Sequence, residues 1–381
     1  GVERCLFGNG KELHFKKLMD FDTIGGKSNK NGARFDLDAM YVNWLGLSLK
    51  CYLPKSENSL SYVWESLKGK ISYCNIKRLM FSSGWRYYAE IVVSGAAPTR
   101  VSIGTSTMGI DPGVSTIAGV SEDACVLEEL APNAIQYEKK IQKISQSMDR
   151  SRRISNPNKY NEDGTINRSN RDPWKYSKNY VKMCRLLKSL YRKKHAYIVD
   201  SHRKLCNKLI TIARYFPVEK MHFQALQKKA KETKRQEKKT EVKQKDGTVK
   251  VIQKYKRKKR FGRSINRRAP ARFLLELKRK AEAVGGVYAE VDTKEFKASQ
   301  YNHVTDTYEK IPLSQREKEI GKRKVQRDLY SAFLIRNADL DFKHPDREKC
   351  EYEFEYFANL QDQLILKMKE SGLSMRQCFG F

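Results

Sequence analysis

Three acidic residues interrupt apolar stretches of this chain. Asp111 follows Met108, Gly109 and Ile110, Glu219 closes the segment Tyr215–Phe216–Pro217–Val218, and Asp328 lies between Val325 and Leu329. They stand roughly 108 residues apart each time, so only a fold can assemble them. Clustered carboxylates repel one another, and bound cations relieve that repulsion. Hard oxygen ligands suit Mg²⁺ or Mn²⁺. The chemistry that uses such a cluster is phosphodiester hydrolysis with two divalent ions, one activating water and the other stabilising the leaving oxygen. Spacing alone does not select these three from the 44 acids of the chain, so the surrounding elements must carry part of the argument.

Asp111 sits in the first of three short strand-like runs, MGIDPG, STIAGVS and ACVLEEL, which together read as a meander beginning near residue 107. Glu219 lies in ARYFPVEKMHF, which reads as a short buried strand or strand end with its boundary marked by Pro217. Asp328 falls in GKRKVQRDLYSAFLIRNADL (321–340), which reads as one helix with Val325, Leu329, Ala332 and Phe333 inward. Other helices are expected at 134–150, 176–213, 270–286 and 351–370, and a strand at 287–293. Residues 1–107 read as β-rich, with strands in 44–53, 70–81 and 85–95 forming a small barrel or curved sheet. Strands, then helices, then a strand and a helix predict a mixed α/β nuclease-like core.

Composition points to a polyanionic partner. The 381 residues hold 76 Lys and Arg against 44 Asp and Glu, a net charge of +32. Such a surplus repels itself unless neutralised, and nucleic acid is the first expectation. Residues 228–268 concentrate it, with 19 basic and 4 acidic side chains and too few apolar ones for a core of their own. That segment reads as a flexible basic insertion. No apolar run approaches the ~18 residues of a membrane span. The eight cysteines are scattered without a CxxC pair, which reads as reduced intracellular thiols and not as a disulfide framework or zinc knuckle. A cytoplasmic protein is expected, nucleoid-associated if the host is prokaryotic. The start GVERC lacks a methionine and a signal-peptide pattern, and reads as a fragment or processed product.

The stretch GIDPGVSTIAGVS (109–121) resembles the first motif of the RuvC-like nuclease domain of transposon-encoded TnpB proteins, relatives of the type V CRISPR effectors. VEKMHFQAL (218–226) resembles the second motif and VQRDLYSAFLIRNA (325–338) the third. The resemblance covers 108–340 most clearly. It implies an RNase H-like (RuvC) core from 107 to 381 with the basic insertion inside it, and a β-rich wedge-like domain at 1–106, truncated or with its helical recognition domain upstream of Gly1. It implies an RNA-guided DNA endonuclease tied to a mobile element. Asp111, Glu219 and Asp328 would be both catalytic residues and ligands of Mg²⁺ or Mn²⁺, and a guide RNA and target DNA would be the partners. The guide would read sequence, and the protein would hold the heteroduplex by its backbone. Phosphate contacts are then expected from Arg327 and from Lys256, Arg257, Lys258, Lys259, Arg260, Arg263, Arg267 and Arg268. Trp44, Tyr52, Trp85, Tyr87 and Tyr88 could stack on bases or pack the core.

The chain departs from the pattern in places. Tyr301, Asn302 and His303 stand where the first cysteines of a zinc ribbon are expected, so no structural zinc is predicted. Tyr330 and Ser331 replace the commoner Asn-Ala of the third motif. Two other readings use the same residues: a guide-dependent DNA-binding repressor that does not cut, and a guide-independent RuvC-like nuclease. Retention of all three acids argues against the first, and the basic insertion and β-rich start argue against the second.

Overall fold

The computed structural model describes residues 21–162, 164–227, 235–243, 248–255, 261–312 and 314–372. The chain begins with strands β1 (Thr23–Gly25), β2 (Arg34–Asp36), β3 (Tyr41–Trp44) and β4 (Leu47–Lys50), helix α1 (Glu57–Leu67), and strands β5 (Ile71–Phe81) and β6 (Gly84–Val93). Next come β7 (Ser106–Thr107), β8 (Gly109–Pro112), β9 (Thr116–Val120), β10 (Cys125–Glu129), α2 (Ala134–Ser155), α3 (Lys178–Ile212) and β11 (Ala213–Glu219). They are followed by α4 (Phe223–Gln227), β12 (Arg235–Lys243), β13 (Val249–Tyr255), α5 (Gly262–Arg268), α6 (Pro270–Ala283), β14 (Val287–Val291) and α7 (Thr293–Phe296). The last elements are β15 (Tyr301–Asn302), β16 (Thr307–Tyr308), β17 (Glu317–Ile320), β18 (Arg323–Gln326), α8 (Arg327–Arg336) and α9 (Arg347–Glu370).

Internal contacts divide the chain into two units. One comprises Gly1–Arg100 with Gln136–Ala196, the other Val101–Ile135 with Tyr197–Phe381. The sequence reading places everything after residue 107 in one domain. In the structure all but the first two residues of α2, and α3 up to Ala196, group with the N-terminal segment. Arg192 on α3 donates from Nε to the carbonyl of Met80 on β5 (3.1 Å), and Lys188 pairs with Asp22 (3.0 Å).

The second unit is built on a six-stranded mixed sheet. Its order is β10-β9-β8-β11-β14, with β7 beside β11. β8, β9 and β10 form the antiparallel meander expected from the sequence, and β11 runs parallel to both β8 and β14. This mixed order is consistent with an RNase H-like core. Both faces are covered. On one, Met108, Ile110, Phe216 and Val218 pack against Leu205, Cys206 and Leu209 of α3 and Phe273, Leu277 and Ala281 of α6. On the other, Ala118, Val120 and Val291 pack beneath α8 and α9. Because alternate residues of a strand face opposite ways, the partition follows from the apolar pattern itself.

Helix α8 is the central element of the second face. Every residue in it except Asp328 is buried. Buried on all sides although it carries Arg327, Ser331 and Arg336, α8 packs on both the sheet and α9. Its approach to β8 depends on Gly109. A Cβ there would fall 2.8 Å from the Cα of Arg336 and closer still to the Ala332 carbonyl oxygen and the Arg336 amide nitrogen. Glycine is the residue that lets a helix backbone lie directly on a strand.

Several expectations are corrected. The run 44–53 is not one strand. Leu45 (φ 46°) and Gly46 (φ 79°) turn β3 back into β4, with Trp44 opposite Leu47. Two successive positive φ angles make the primed turn that matches hairpin twist. Helix α1 within 57–67 was not anticipated. Pro217 lies inside β11 and not at its boundary. It falls between the pairing of Tyr215 with Thr107 and that of Val218 with Ile110. The helix read from 321 starts at Arg327, and residues 317–326 form the hairpin β17–β18 instead. In the basic insertion the described residues form the antiparallel hairpin β12–β13 and helix α5.

Candidate active site

Asp111 and Glu219 are neighbours because their strands are. Val218 pairs with Ile110 across β11 and β8, so the next residue on each strand, Glu219 and Asp111, lies side by side at the carboxyl ends. Ile110 and Val218 point into one core, so Asp111 and Glu219 point to the opposite face, the one covered by α8. Their pairing partners agree: Ala118 opposite Asp111 and Val291 opposite Glu219 both belong to the α8 core. The two carboxyl groups share a hydrogen bond. Asp111 is held well above the ordinary carboxylate range, first by burial, then by the charges of Glu219 and Asp328. Glu219 is also raised by burial, while its hydrogen bonds to Asp111 and Thr293 work the other way. Thr293, at the start of α7, sits there because its hydroxyl donates to the carbonyl of Lys220 (2.6 Å).

Asp328 is the second residue of α8, where the helix dipole favours a negative charge. Gln326 caps the helix. Its side-chain oxygen accepts from the amide of Leu329 (2.7 Å), and its own amide donates to Gln361 of α9 (2.7 Å). The Asp328 carboxylate is surrounded by donors. Oδ1 accepts from Nε and Nη2 of Arg327 (3.2 and 3.0 Å), and Oδ2 accepts from Nη1 of Arg316 (3.4 Å) and Nε2 of Gln326 (3.3 Å).

The three sequence-predicted acids thus share one site, close enough for the charge of Asp328 to act on both Asp111 and Glu219. Their donor chemistry fits a hard divalent cation: all three are carboxylates, and two lie side by side where a cation would relieve their repulsion. The set is not closed, however. Among the described residues no three His, Cys, Asp or Glu side chains stand together as a metal-holding group, and Asp328 is paired with Arg316 and Arg327. Sequence reasoning missed Arg316, Gln326, Thr293 and Gly109. Only Gly109 left a signal, a glycine inside an apolar strand.

The predicted nucleic-acid contacts divide. Arg327 is nearly buried and belongs to the acid site. Arg268 of α5 is paired with Glu129 of β10, and its Nη1 donates to Ser264 (3.4 Å). Arg263 is exposed on the same helix and Arg267 is half-buried. Lys256, Arg257, Lys258, Lys259 and Arg260 lie outside the described residues. His303 is a core residue: its Nδ1 meets the Tyr330 hydroxyl at 2.8 Å, its ring packs on Phe354, and burial lowers it to about 4.

Within the N-terminal unit, the aromatics singled out in the sequence divide between packed and exposed. Trp44 packs against the β2–β5 core, and Trp85 is held between Arg78 and Lys188, each 4.4 Å from its ring. Tyr52 and Tyr87 are 86% and 68% exposed, and with Tyr88, Tyr62, Lys50 and Arg86 they line a cavity of about 1310 Å³.

No protein-family model matches the chain. No curated protein matches it by sequence. Among solved structures, the chain is similar to Cas12f. A Cas12f1–sgRNA–target DNA complex shares 12% identity at a TM-score of 0.44, over 74% of this chain and 48% of that one. A CRISPR–Cas12f ternary complex shares 13% at a TM-score of 0.32, over 83% and 51%. The chain therefore spans about half the length of the solved structures it matches. No helix among the described residues is long and apolar enough to cross a membrane.

Proposed function

We propose that this chain is an RNA-guided DNA endonuclease of the TnpB and Cas12 kind, with a RuvC-like nuclease core and Asp111, Glu219 and Asp328 as its catalytic acids. One observation carries the reading. Two strand-end carboxyls about 108 residues apart in sequence are paired by the register of β8 and β11, on the face covered by the helix that begins Arg327–Asp328. A structural role does not call for three half-buried acids within reach of one another's charge, since like charges so gathered repel.

Asp111, Glu219 and Asp328 would hold Mg²⁺ or Mn²⁺. The chemistry such ions supply when bound is an activated water and stabilisation of the leaving oxygen. The chain's own residues do the rest. Glu219 keeps the Asp111 carboxyl in place through their hydrogen bond, Gln326 and Gln361 fix the first turn of α8, and the apolar core around α8 keeps bulk water from the back of the site. Arg327, whose guanidinium already sits on a carboxylate, offers the fork geometry that suits a phosphate. Guide RNA and target DNA would be the partners. The charge of +32 supports backbone contacts to both, and the exposed tyrosines of the N-terminal unit support stacking on unpaired bases. That unit would be the wedge-like domain, and association with a mobile element follows from the motif resemblance. The non-cutting repressor is disfavoured because all three acids are present and gathered.

The test is cleavage. The chain, purified with the RNA it binds from its native flanking DNA, should cut matching DNA in Mg²⁺ and not in EDTA. Asp111→Asn, Glu219→Gln and Asp328→Asn should each abolish cutting while RNA binding persists. Equal loss of RNA binding in all three would give the acids a structural role instead.

A further inference from the structure

The hairpin β17–β18 places two arginines on one carboxylate. Glu317 pairs with Gln326 at its open end, so the residues just outside the hairpin, Arg316 and Arg327, are adjacent. The amide of Arg327 donates to the carbonyl of Arg316 (2.9 Å). From there both guanidinium groups reach Asp328, one on each oxygen. The two contacts differ in surroundings. The Arg327 side chain is 10% exposed and further fixed by Nη1 donating to the carbonyl of Gln315 (3.1 Å), whereas the Arg316 side chain is 47% exposed. An acid held this way cannot also serve as the third ligand of a cation between Asp111 and Glu219. The guanidinium groups occupy its oxygens and repel the cation.

We infer that Arg316 and Arg327 are positioning residues that set the affinity of the acid site for divalent cations. They hold Asp328 in an ion pair that a cation must displace to gain its third carboxylate. This rests on the reading of the three acids as a metal-binding set. It also supplies a coupling. A phosphodiester offers Arg327 another anion of matching geometry, so nucleic acid and cation each favour the binding of the other. A cation alone meets a site whose third ligand is engaged, and cutting is restrained until substrate is in place.

The experiment measures Mn²⁺ binding to the full chain without nucleic acid, by loss of the free-Mn²⁺ electron paramagnetic resonance signal. Arg316→Met, at an exposed position, should tighten binding about three- to fivefold, the range of an exposed ion pair. Arg327→Lys, which keeps the charge and loses the fork, should tighten it by about tenfold, because that pair is nearly dry. Lys220→Met removes a cation next in sequence to Glu219 but paired with Glu290 (3.2 Å), and should change binding less than about twofold. If Arg316→Met and Arg327→Lys bind Mn²⁺ as the wild type does, or more weakly, while Asp111→Asn loses binding, the arginines do not compete with the cation and this inference falls with the metal site intact. If Asp111→Asn and Glu219→Gln bind Mn²⁺ like the wild type, the metal reading itself falls, and the inference with it.

Discussion

Gly109→Ala should disable the site without touching an acid. The added Cβ would lie 2.8 Å from the Cα of Arg336, with the Ala332 carbonyl oxygen and Arg336 amide nitrogen nearer still, where ordinary contact begins at 3.4 Å. All three atoms are backbone, so no side chain can turn away. Helix α8 must move off β8 by about 1 Å, and the strain of such overpacking is about 1–3 kcal/mol. α8 carries Asp328, and a misplacement near 1 Å at a reacting centre slows chemistry by about a hundredfold. Gly119→Ala is the internal control. Its Cβ would meet only the Met108 Sδ (3.1 Å) and Ile110 Cδ1 (3.2 Å), ends of flexible side chains that can give way. Thermal unfolding and single-turnover DNA cutting of both variants decide the matter. Gly109→Ala should unfold at a lower temperature and cut about a hundredfold more slowly, and Gly119→Ala should be the milder in both. A Gly109→Ala protein with wild-type unfolding and cutting would refute the argument that this contact positions Asp328.

Two further predictions follow from burial and exposure. The raised native carboxyl of Asp111 makes the folded state bind more protons than the unfolded chain above the ordinary value of 3.8, so this contribution to stability is full below that pH and is lost as pH rises through the native value. In EDTA at pH 8, Asp111→Asn should therefore raise the unfolding temperature, by about 2–4 °C per kcal/mol recovered in a unit of this size, and the gain should vanish near pH 4; a gain at pH 4 as large as at pH 8 would contradict the assignment. Tyr52→Ala and Tyr87→Ala should each weaken single-stranded RNA binding by about 1–3 kcal/mol with unfolding unchanged, the signature of base stacking; unaltered binding would leave those rings as bare surface.

Much of the site was legible because each acid breaks an apolar pattern. Their motif resemblance singles them out, while IAGV and YFPV are unbroken apolar runs, so it is the register of β8 and β11 that puts Asp111 and Glu219 side by side. What was illegible lacks such a pattern. GKRKVQR has neither a helical nor a strand period, and β17–β18 is held by long-range neighbours: Lys318 donates to the carbonyl of Tyr301 (2.6 Å) and Arg323 pairs with Glu355 (3.1 Å). The two helices expected at 134–150 and 176–213 are readable, but the grouping of 136–196 with the N-terminal unit depends on contacts such as Arg192 with Met80 that no periodicity encodes. Arg316 was hidden for the same reason, since it reaches Asp328 only through the register of a hairpin that the sequence does not announce.

The central claim is that Asp111, Glu219 and Asp328 form a metal-dependent phosphodiesterase centre directed by RNA. The most direct measurement is cutting of a matched and a mismatched DNA by the chain purified with its RNA, in Mg²⁺, in EDTA, and with Asp111→Asn. The account predicts cutting of the matched DNA in Mg²⁺ alone, abolished by EDTA and by the substitution while the RNA stays bound. Undiminished cutting by Asp111→Asn, or cutting in EDTA, would contradict it.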